Sequence, residues 1–393
     1  MIDNLDKNMC TGCSACYCAC PCEAIEMKVD GEGFWHPEID KDLCNECDIC
    51  SDVCPVINKL EKSSNFSVPK VFAVWSLDEN VRLTSTSGGF FTELAKVVIA
   101  QQGYVAGARY NEGHLVEHHI VNDVEGLSLL KQSKYIQSDV GRCYEKIRDL
   151  LESDSYVLFC GTPCQAAGLQ SYLGRDYDKL ILCDFICRGV NSPKVYVKYL
   201  EMLQSRYGST VKKVTFKFKG YGWNRFSTLI EFEDGRRYIK DRYHDPYMLG
   251  YIEHNYYMRP SCHNCTFKRL PRLSDISMGD FWGIAETRPH LDADKGTSLL
   301  FINSKKGKEF FELVKPALFF EECTFNEASN SNACIFEAPL ANPRRDCFFR
   351  DLNNMPFDQL IRLYCRDSYS SKRELRLFSQ NLKRRVVKVL KRK

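Results

Sequence analysis

Residues 10–21 read CTGCSACYCACP and residues 44–55 read CNECDICSDVCP. Each run has the form C-x2-C-x2-C-x3-C-P, with Cys10, Cys13, Cys16 and Cys20 in the first and Cys44, Cys47, Cys50 and Cys54 in the second. A cube of iron and sulfide needs four thiolates arriving from different directions. Two-residue gaps let one tight loop wrap three of them around one face, while the fourth cysteine, followed by proline, points away to the other cluster. The spacing therefore predicts two [4Fe–4S] clusters, one on Cys10, Cys13, Cys16 and Cys54 and the other on Cys44, Cys47, Cys50 and Cys20. Zinc also binds C-x2-C pairs, but its four-ligand coordination does not account for two complete runs.

Between the runs, AIEMKVDGEGFWHPEID (residues 24–40) reads as two short strands about an Asp-Gly turn. Residues 1–60 are thus expected to form an α+β module of the bacterial ferredoxin type, built from two strand–loop–helix halves. Cys18 and Cys22 fall outside the spacing and are read as small hydrophobes beside a cluster.

The wider composition agrees with redox chemistry. The chain has 393 residues, enough for two or three domains, with 44% hydrophobic and 27% charged residues as in an ordinary globular protein. No run approaches the twenty or so apolar residues of a membrane span, and MIDNLDKNMCTGC lacks the basic-then-apolar pattern of a secretory signal. A cytoplasmic location is expected, and in a reducing compartment 21 cysteines point to metal ligation before disulfides. The net charge of +3 is concentrated at one end. From Ser371 onward there are ten Lys/Arg against the single acid Glu374, with Leu375, Leu377, Phe378, Leu382, Val386, Val387 and Leu390 along one helical face. Such a tail suits peripheral contact with an anionic membrane or an acidic partner, or loose packing on its own domain. The mildly acidic remainder does not suggest nucleic-acid binding.

After a polar linker at residues 61–70, VFAVWSL reads as a strand. TSTSGGFFTELAKVVIAQQGYVAGARY then reads as a loop, a helix from about Ser87–Gly88 to Gly103, and a second strand. SYVLFCGTPCQAAGLQSYL and KLILCDFICRGVNSPKVYVKYL repeat the plan of buried strand, turn and helix, which implies an α/β core with binding residues at the carboxyl ends of strands. Cys164 and Cys187 fall at such ends, and Cys262-x2-Cys265 offers two more ligands from one loop. These four suffice for a third [4Fe–4S] cluster. On spacing alone, Cys164 and Cys187 as bystanders, with Cys262 and Cys265 on zinc or on nothing, fit as well.

The order of motifs resembles the beta-subunit family of coenzyme F420 hydrogenases and dehydrogenases, in versions with an N-terminal ferredoxin module. The matching stretches are STSGGFFTELA, SKYIQSDVG, LFCGTPCQAAGLQSYL, CDFICRGVNSPKVYVKYL, CHNCTFKRLPRLSDISMGDFWGI and GTSLLFINSKKGKEFF. The resemblance implies an α/β flavin-binding core that holds FAD and passes electrons between clusters and a two-electron carrier such as F420. It implies Ser87, Gly88, Gly89, Gly161, Thr162 and Pro163 as the flavin environment. It also matches Cys164, Cys187, Cys262 and Cys265 to family cysteines, favouring the third cluster. One position departs: Arg188 stands where the family has histidine. Arginine is no acid–base group near neutral pH, but it holds phosphates and carboxylates well.

The implied organisation is a two-cluster module at 1–60, a linker at 61–70, family regions at 71–150 and 151–320, and a C-terminal extension at 321–393. The implied function is that of an oxidoreductase exchanging electrons with ferredoxin or a catalytic partner subunit, and with F420 or another small-molecule acceptor. An electron-transfer subunit without its own substrate and a stand-alone reductase of an organic substrate are the alternatives. No protein general acid or base is assigned. Asp275 and Asp280 are read as caps or turn formers in a glycine-containing loop, Trp223 as a core residue, and His118 and His119 as facing opposite ways along a strand.

Overall fold

The computed structural model describes all residues except 63, 331 and 380–393. Most of the basic tail reading therefore lies outside the described residues; residues 371–379 are helical.

The strands follow from local composition. The Asp-Gly segment forms β1 (Ile25–Val29) and β2 (Trp35–Ile39), paired antiparallel. Short helices at Ala15–Ala19 and Ile49–Asp52 carry the third cysteine of each run and pack on each other. The next strands are β3 (Lys70–Ser76), β4 (Tyr104–Tyr110), β5 (Val116–Val121), β6 (Val157–Gly161) and β7 (Leu180–Phe185). They are followed by β8 (Val211–Phe218), β9 (Ser227–Phe232), β10 (Arg237–Asp241), β11 (Ile276–Asp280), β12 (Ser298–Ile302) and β13 (Leu318–Cys323).

Eight of these make one mixed sheet in the order β13-β3-β12-β11-β7-β6-β4-β5. Its centre, β11-β7-β6-β4, is parallel and its flanks are antiparallel. The central strands VLFCG and LILCDF are apolar almost throughout because both of their faces are covered. Helices Phe90–Ala100 and Lys305–Val314 cover one face. Helices Cys143–Glu152 and Pro163–Leu173 cover the other, and there Cys13, Ala15 and Cys18 of the N-terminal segment join the core. A separate antiparallel sheet, β10-β9-β8, packs with helices Pro193–Tyr207, Arg345–Leu352 and Phe357–Tyr364.

Two readings shift. The helix expected from Ser87–Gly88 begins at Phe90, because Gly89 adopts a left-handed conformation (φ +95°) as its N-cap and Gly88 is pressed flat against the sheet. The segment SDISMGDFW is not a glycine-bearing loop. Its residues 276–280 form β11, since pairing on both sides, with β7 and β12, overrides the weak strand propensity of Gly279. The polar stretch 61–70 is tied down as well: Asn65 Nδ2 donates to the carbonyl oxygens of Arg272 and Leu273 at 2.7 and 3.2 Å.

Gly88 tests how strictly the loop before the Phe90 helix is built. A Cβ there would lie 2.3 Å from the Val74 carbonyl oxygen and 3.0 Å from the Ser298 nitrogen, both backbone atoms that cannot swing aside. Gly88→Ala should lower stability by roughly 1–3 kcal/mol, read as a fall in the thermal unfolding midpoint.

Candidate functional site

The sheet places two cysteines at matching heights. Cys160 and Cys183 are register partners in the parallel β6–β7 pair, and Cys164 and Cys187 each follow four residues later. The local starts are set by capping. Thr162 Oγ1 accepts from the Gln165 nitrogen, Gln165 Oε1 accepts from the Thr162 nitrogen, and Pro163 takes the first helical position. Ser192 and Pro193 repeat the device for the next helix.

Cys262, in the Pro260–His263 turn, and Cys265 close on this pair. All four thiols are half-buried and electrostatic neighbours of one another. Burial, and then their mutual repulsion, raises the thiols of Cys164 and Cys187 and lifts Cys262 to about 12. Thr162 Oγ1 lies 3.1 Å from Cys164 Sγ, and the Val190 N–H donates to Cys262 Sγ at 3.4 Å.

The N-terminal cysteines sort into two groups. Cys10, Cys13, Cys16 and Cys54 are buried and every pair among them interacts electrostatically. Burial lifts Cys13 to about 12 and raises Cys16 and Cys54. Cys10 is the exception: burial opposes its ionisation, yet a hydrogen bond with His36 and the Arg259 cation bring it below the ordinary thiol value. Cys20, Cys44, Cys47 and Cys50 line one small cavity together with Met1 and Cys22, and the Ala24 N–H donates to Cys20 Sγ at 3.3 Å. In this group Cys47 is exposed.

Among the described residues, no three His, Cys, Asp or Glu side chains are gathered closely enough to hold a single metal ion. Zinc, at bonds of about 2.3 Å, draws its thiolates closer than a four-iron cube does. The donor sets are all thiol, the ligand type that [4Fe–4S] clusters take.

The first and third groups meet across the Pro163–Leu173 helix. A Cβ on Gly168 would lie 3.0 Å from Cys13 Sγ, so a larger residue would press Cys13 away from the helix that carries Cys164. Cys13 also acts electrostatically on Cys164. A second link is Arg259, which is fully buried. Its Nε donates to the Cys10 carbonyl oxygen (2.7 Å), Nη1 to Gln137 Oε1 (3.0 Å) and Nη2 to the Trp35 carbonyl oxygen (2.9 Å).

On the other side of Cys187 opens a cleft of about 1810 Å³ at the carboxyl ends of β6, β7 and β11. Ser87, Gly89, Gly161 and Thr162 line it; Gly88 and Pro163 do not. Gly88 packs on β3 and Pro163 is a buried helix start. The Ser87 hydroxyl donates to the Thr297 carbonyl oxygen (2.8 Å), and that of Thr162 is taken by its capping box. This rim offers a ligand backbone at the first turn of the Phe90 helix, where Thr92 and Glu93 already donate to the Gly89 carbonyl oxygen and the N–H groups of Phe90 and Phe91 precede the first helical bond.

Two lining residues, Lys217 and Trp282, were not foreseen. Lys217, 1% exposed, donates to Asp280 Oδ2 at 2.7 Å, and Trp223 Nε1 donates to Asp280 Oδ1 at 2.8 Å. Burial lowers the Lys217 ammonium against the pull of Asp280. Trp223 is indeed buried, but it stacks on Trp282 (4.9 Å, 5°) at the cleft wall. Asp275 is a buried acceptor for the Leu182 N–H (3.0 Å) and Ser304 Oγ (2.6 Å), a structural role. Arg188 donates through Nη2 to the Ile252 carbonyl oxygen and Asn255 Oδ1, while its buried Nε has no hydrogen-bond partner among the described residues. His118 faces inward, stacks on Phe159 at 5.4 Å and contacts Ser138 Oγ at 3.1 Å, whereas His119 is half-buried.

Sulfur-rich donor groups on a mixed α/β frame define an oxidoreductase-type protein of the iron–sulfur kind. Residues 154–328 match the family model for the C terminus of the coenzyme F420 hydrogenase/dehydrogenase beta subunit, a little under half of the chain. No curated protein matches it. Among solved structures it is similar to a chain of a xenon-derivatised F420-reducing [NiFe] hydrogenase complex from Methanosarcina barkeri. The TM-score is 0.45 at 16% identity, over 77% of this chain and 92% of that one. Among the described residues no helix is long and apolar enough to cross a membrane.

Two measurements check this geometry. Arg259→Met strands three buried acceptors and should cost roughly 3 kcal/mol, with faster proteolysis of residues 1–60 than in the parent. Burial depresses His118 from 6.5 to about 4, so the unfolded chain binds more protons in that window and stability falls as pH drops through it. Between about pH 7.5 and 5.5 the loss should be about 1 kcal/mol by urea unfolding, and His118→Asn should remove that share.

Proposed function

We propose that the protein is an iron–sulfur flavoprotein oxidoreductase. Residues 1–60 form a two-cluster ferredoxin-type module joined through 61–70 to a flavin-binding core at 71–150 and 151–320, with 321–393 as an extension. Cys20, Cys44, Cys47 and Cys50 hold an outer cluster, Cys10, Cys13, Cys16 and Cys54 a middle one, and Cys164, Cys187, Cys262 and Cys265 an inner one. The adjacency of Cys13, Gly168 and Cys164 carries this reading, since it sets the middle group beside the inner one.

The clusters supply one-electron chemistry, and FAD in the cleft supplies the change between one-electron and two-electron transfer. The chain's own residues do the rest. Buried apolar neighbours such as Ala167, Phe267 and Leu273 keep water from the inner thiols. The Cys10–His36 hydrogen bond and the Arg259 charge favour the ionised ligand. Gly89, Gly161 and the Phe90 helix start offer backbone to the flavin phosphates, while the Trp223–Trp282 stack, braced by the Lys217–Asp280 pair, presents a flat aromatic wall. The cleft exceeds the roughly 300–1,000 Å³ of an ordinary ligand site, which leaves room beside a flavin for F420 or another two-electron acceptor. That room favours an enzyme with its own substrate over a pure electron-transfer subunit. Exposed Cys47 marks the face where ferredoxin or a catalytic partner subunit docks.

Anaerobic purification with iron and flavin counting tests the reading. About twelve irons and one FAD per chain are expected, and Cys187→Ser should lose about four irons while keeping the other two clusters' paramagnetic signals. About eight irons and no flavin in the parent protein would sink the reading for everything beyond residue 60.

A further inference from the structure

Cys160 and Cys183 are left over by the cluster assignment, and the sheet brings them together. They are register partners in adjacent parallel strands, and partners in register point to the same face. That face is fixed by their neighbours: Leu158, Ile181 and Cys183 belong to the core beneath the Phe90–Ala100 helix, with Cys160 packed against it, whereas Phe159 and Leu182 face the opposite layer. Adjacent strands lie about 4.8 Å apart, inside the range of Cα separations that a disulfide spans. The proximity of Cys160, followed by burial, raises the Cys183 thiol well above its ordinary value.

The two thiols differ in access. Cys160 is half-buried and lines the cleft, while Cys183 is fully buried behind it. Lys134, also on the cleft wall, is held by the carbonyl oxygens of Lys131 (2.8 Å) and Gln132 (3.2 Å), and its ammonium is an electrostatic neighbour of Cys160. Access therefore makes Cys160 the thiol that a molecule in the cleft meets first.

We propose that Cys160 and Cys183 form a dithiol–disulfide couple that reduces a small organic disulfide admitted to the cleft, with Cys160 as the attacking thiol and Cys183 as the resolving one. In the first step Cys160 loses its proton and its sulfur bonds to one sulfur of the substrate. The substrate S–S bond breaks, and the first thiol leaves with a proton. In the second, Cys183 loses its proton and attacks the Cys160 sulfur, the mixed disulfide breaks, and the second thiol leaves protonated. Two electrons pass from the protein to the substrate, one disulfide is consumed and one is formed, and the two protons lost by the cysteines leave on the product thiols. The couple needs neither the clusters nor the flavin for this exchange.

The test treats the anaerobic holoprotein with 2-hydroxyethyl disulfide, quenches with acid, alkylates free thiols and maps the peptides by mass spectrometry, with iron and flavin counted on the same sample. The expected result is loss of two alkylable thiols, a Cys160–Cys183 cross-link reversed by dithiothreitol, and unchanged iron. Cys183→Ser, or Cys183→Ala should the serine variant not fold, should trap the probe on Cys160. Cys160→Ser should yield neither adduct nor cross-link. Alkylation of both cysteines with iron retained, a stable probe adduct on Cys160 of the parent, or a cross-link formed only through Cys164 or Cys187 as iron is lost would each overturn the proposal. A low iron or flavin count beside an intact cross-link would count against the proposed electron path alone.

Discussion

A fully buried guanidinium joins the two parts of this molecule. Arg259 sits in the chain just before Cys262, yet its three donor positions are spent on the backbone of Cys10 and Trp35 and on Gln137. A buried cation is tolerated only when its hydrogen bonds are made, so the N-terminal segment cannot drift from the core without exposing or stranding that charge. The bidentate contact of Arg345 with Glu32 does the same at the far end of the β1–β2 turn. These two arginines fix the distance between the first and third groups of thiols, and Gly12 and Gly168 supply the close contacts that larger residues would block.

The cleft is organised by a different balance. Lys217 and Asp280 are each costly to bury alone, and together with Trp223 they satisfy one another beneath the stacked indoles. Removing one partner strands the other, so this wall is rigid, in contrast with the hydroxyl-rich rim at residues 85–87. A rigid aromatic wall opposite a backbone-lined rim is suited to holding a planar group in one orientation.

What was legible in the sequence was local. The two C-x2-C-x2-C-x3-C-P runs stand out by spacing, and the structure sets Cys54 beside Cys10, Cys13 and Cys16, and Cys20 beside Cys44, Cys47 and Cys50. The strands ending at Gly161 and Phe185 were readable from continuous apolar runs, and their following helices from Thr162-Pro163 and Ser192-Pro193. What depended on distant partners was not readable. Nothing near Lys217 in the alternating TFKFK segment signals that it is buried, because its counter-ion lies 63 residues away. β11 was missed because two neighbouring strands, not its own residues, make it a strand. Gly88 and Pro163 belong to motifs that were read as ligand-binding, but packing and helix capping account for both.

The four-residue offset shared by Cys160-to-Cys164 and Cys183-to-Cys187 has a bearing on biogenesis. On the proposed assignment, the outer and middle ligands come from one short stretch that can be filled as soon as it emerges. The inner ligands span residues 164 to 265 and come together only once β6 and β7 have paired in register and the Pro260–His263 turn has docked. Closing so long a loop carries an entropic cost that the finished sheet meets in advance. Loading of the inner site then reports on completed folding, and a chain whose strands slipped by one residue would be left with an empty third site and two filled ones.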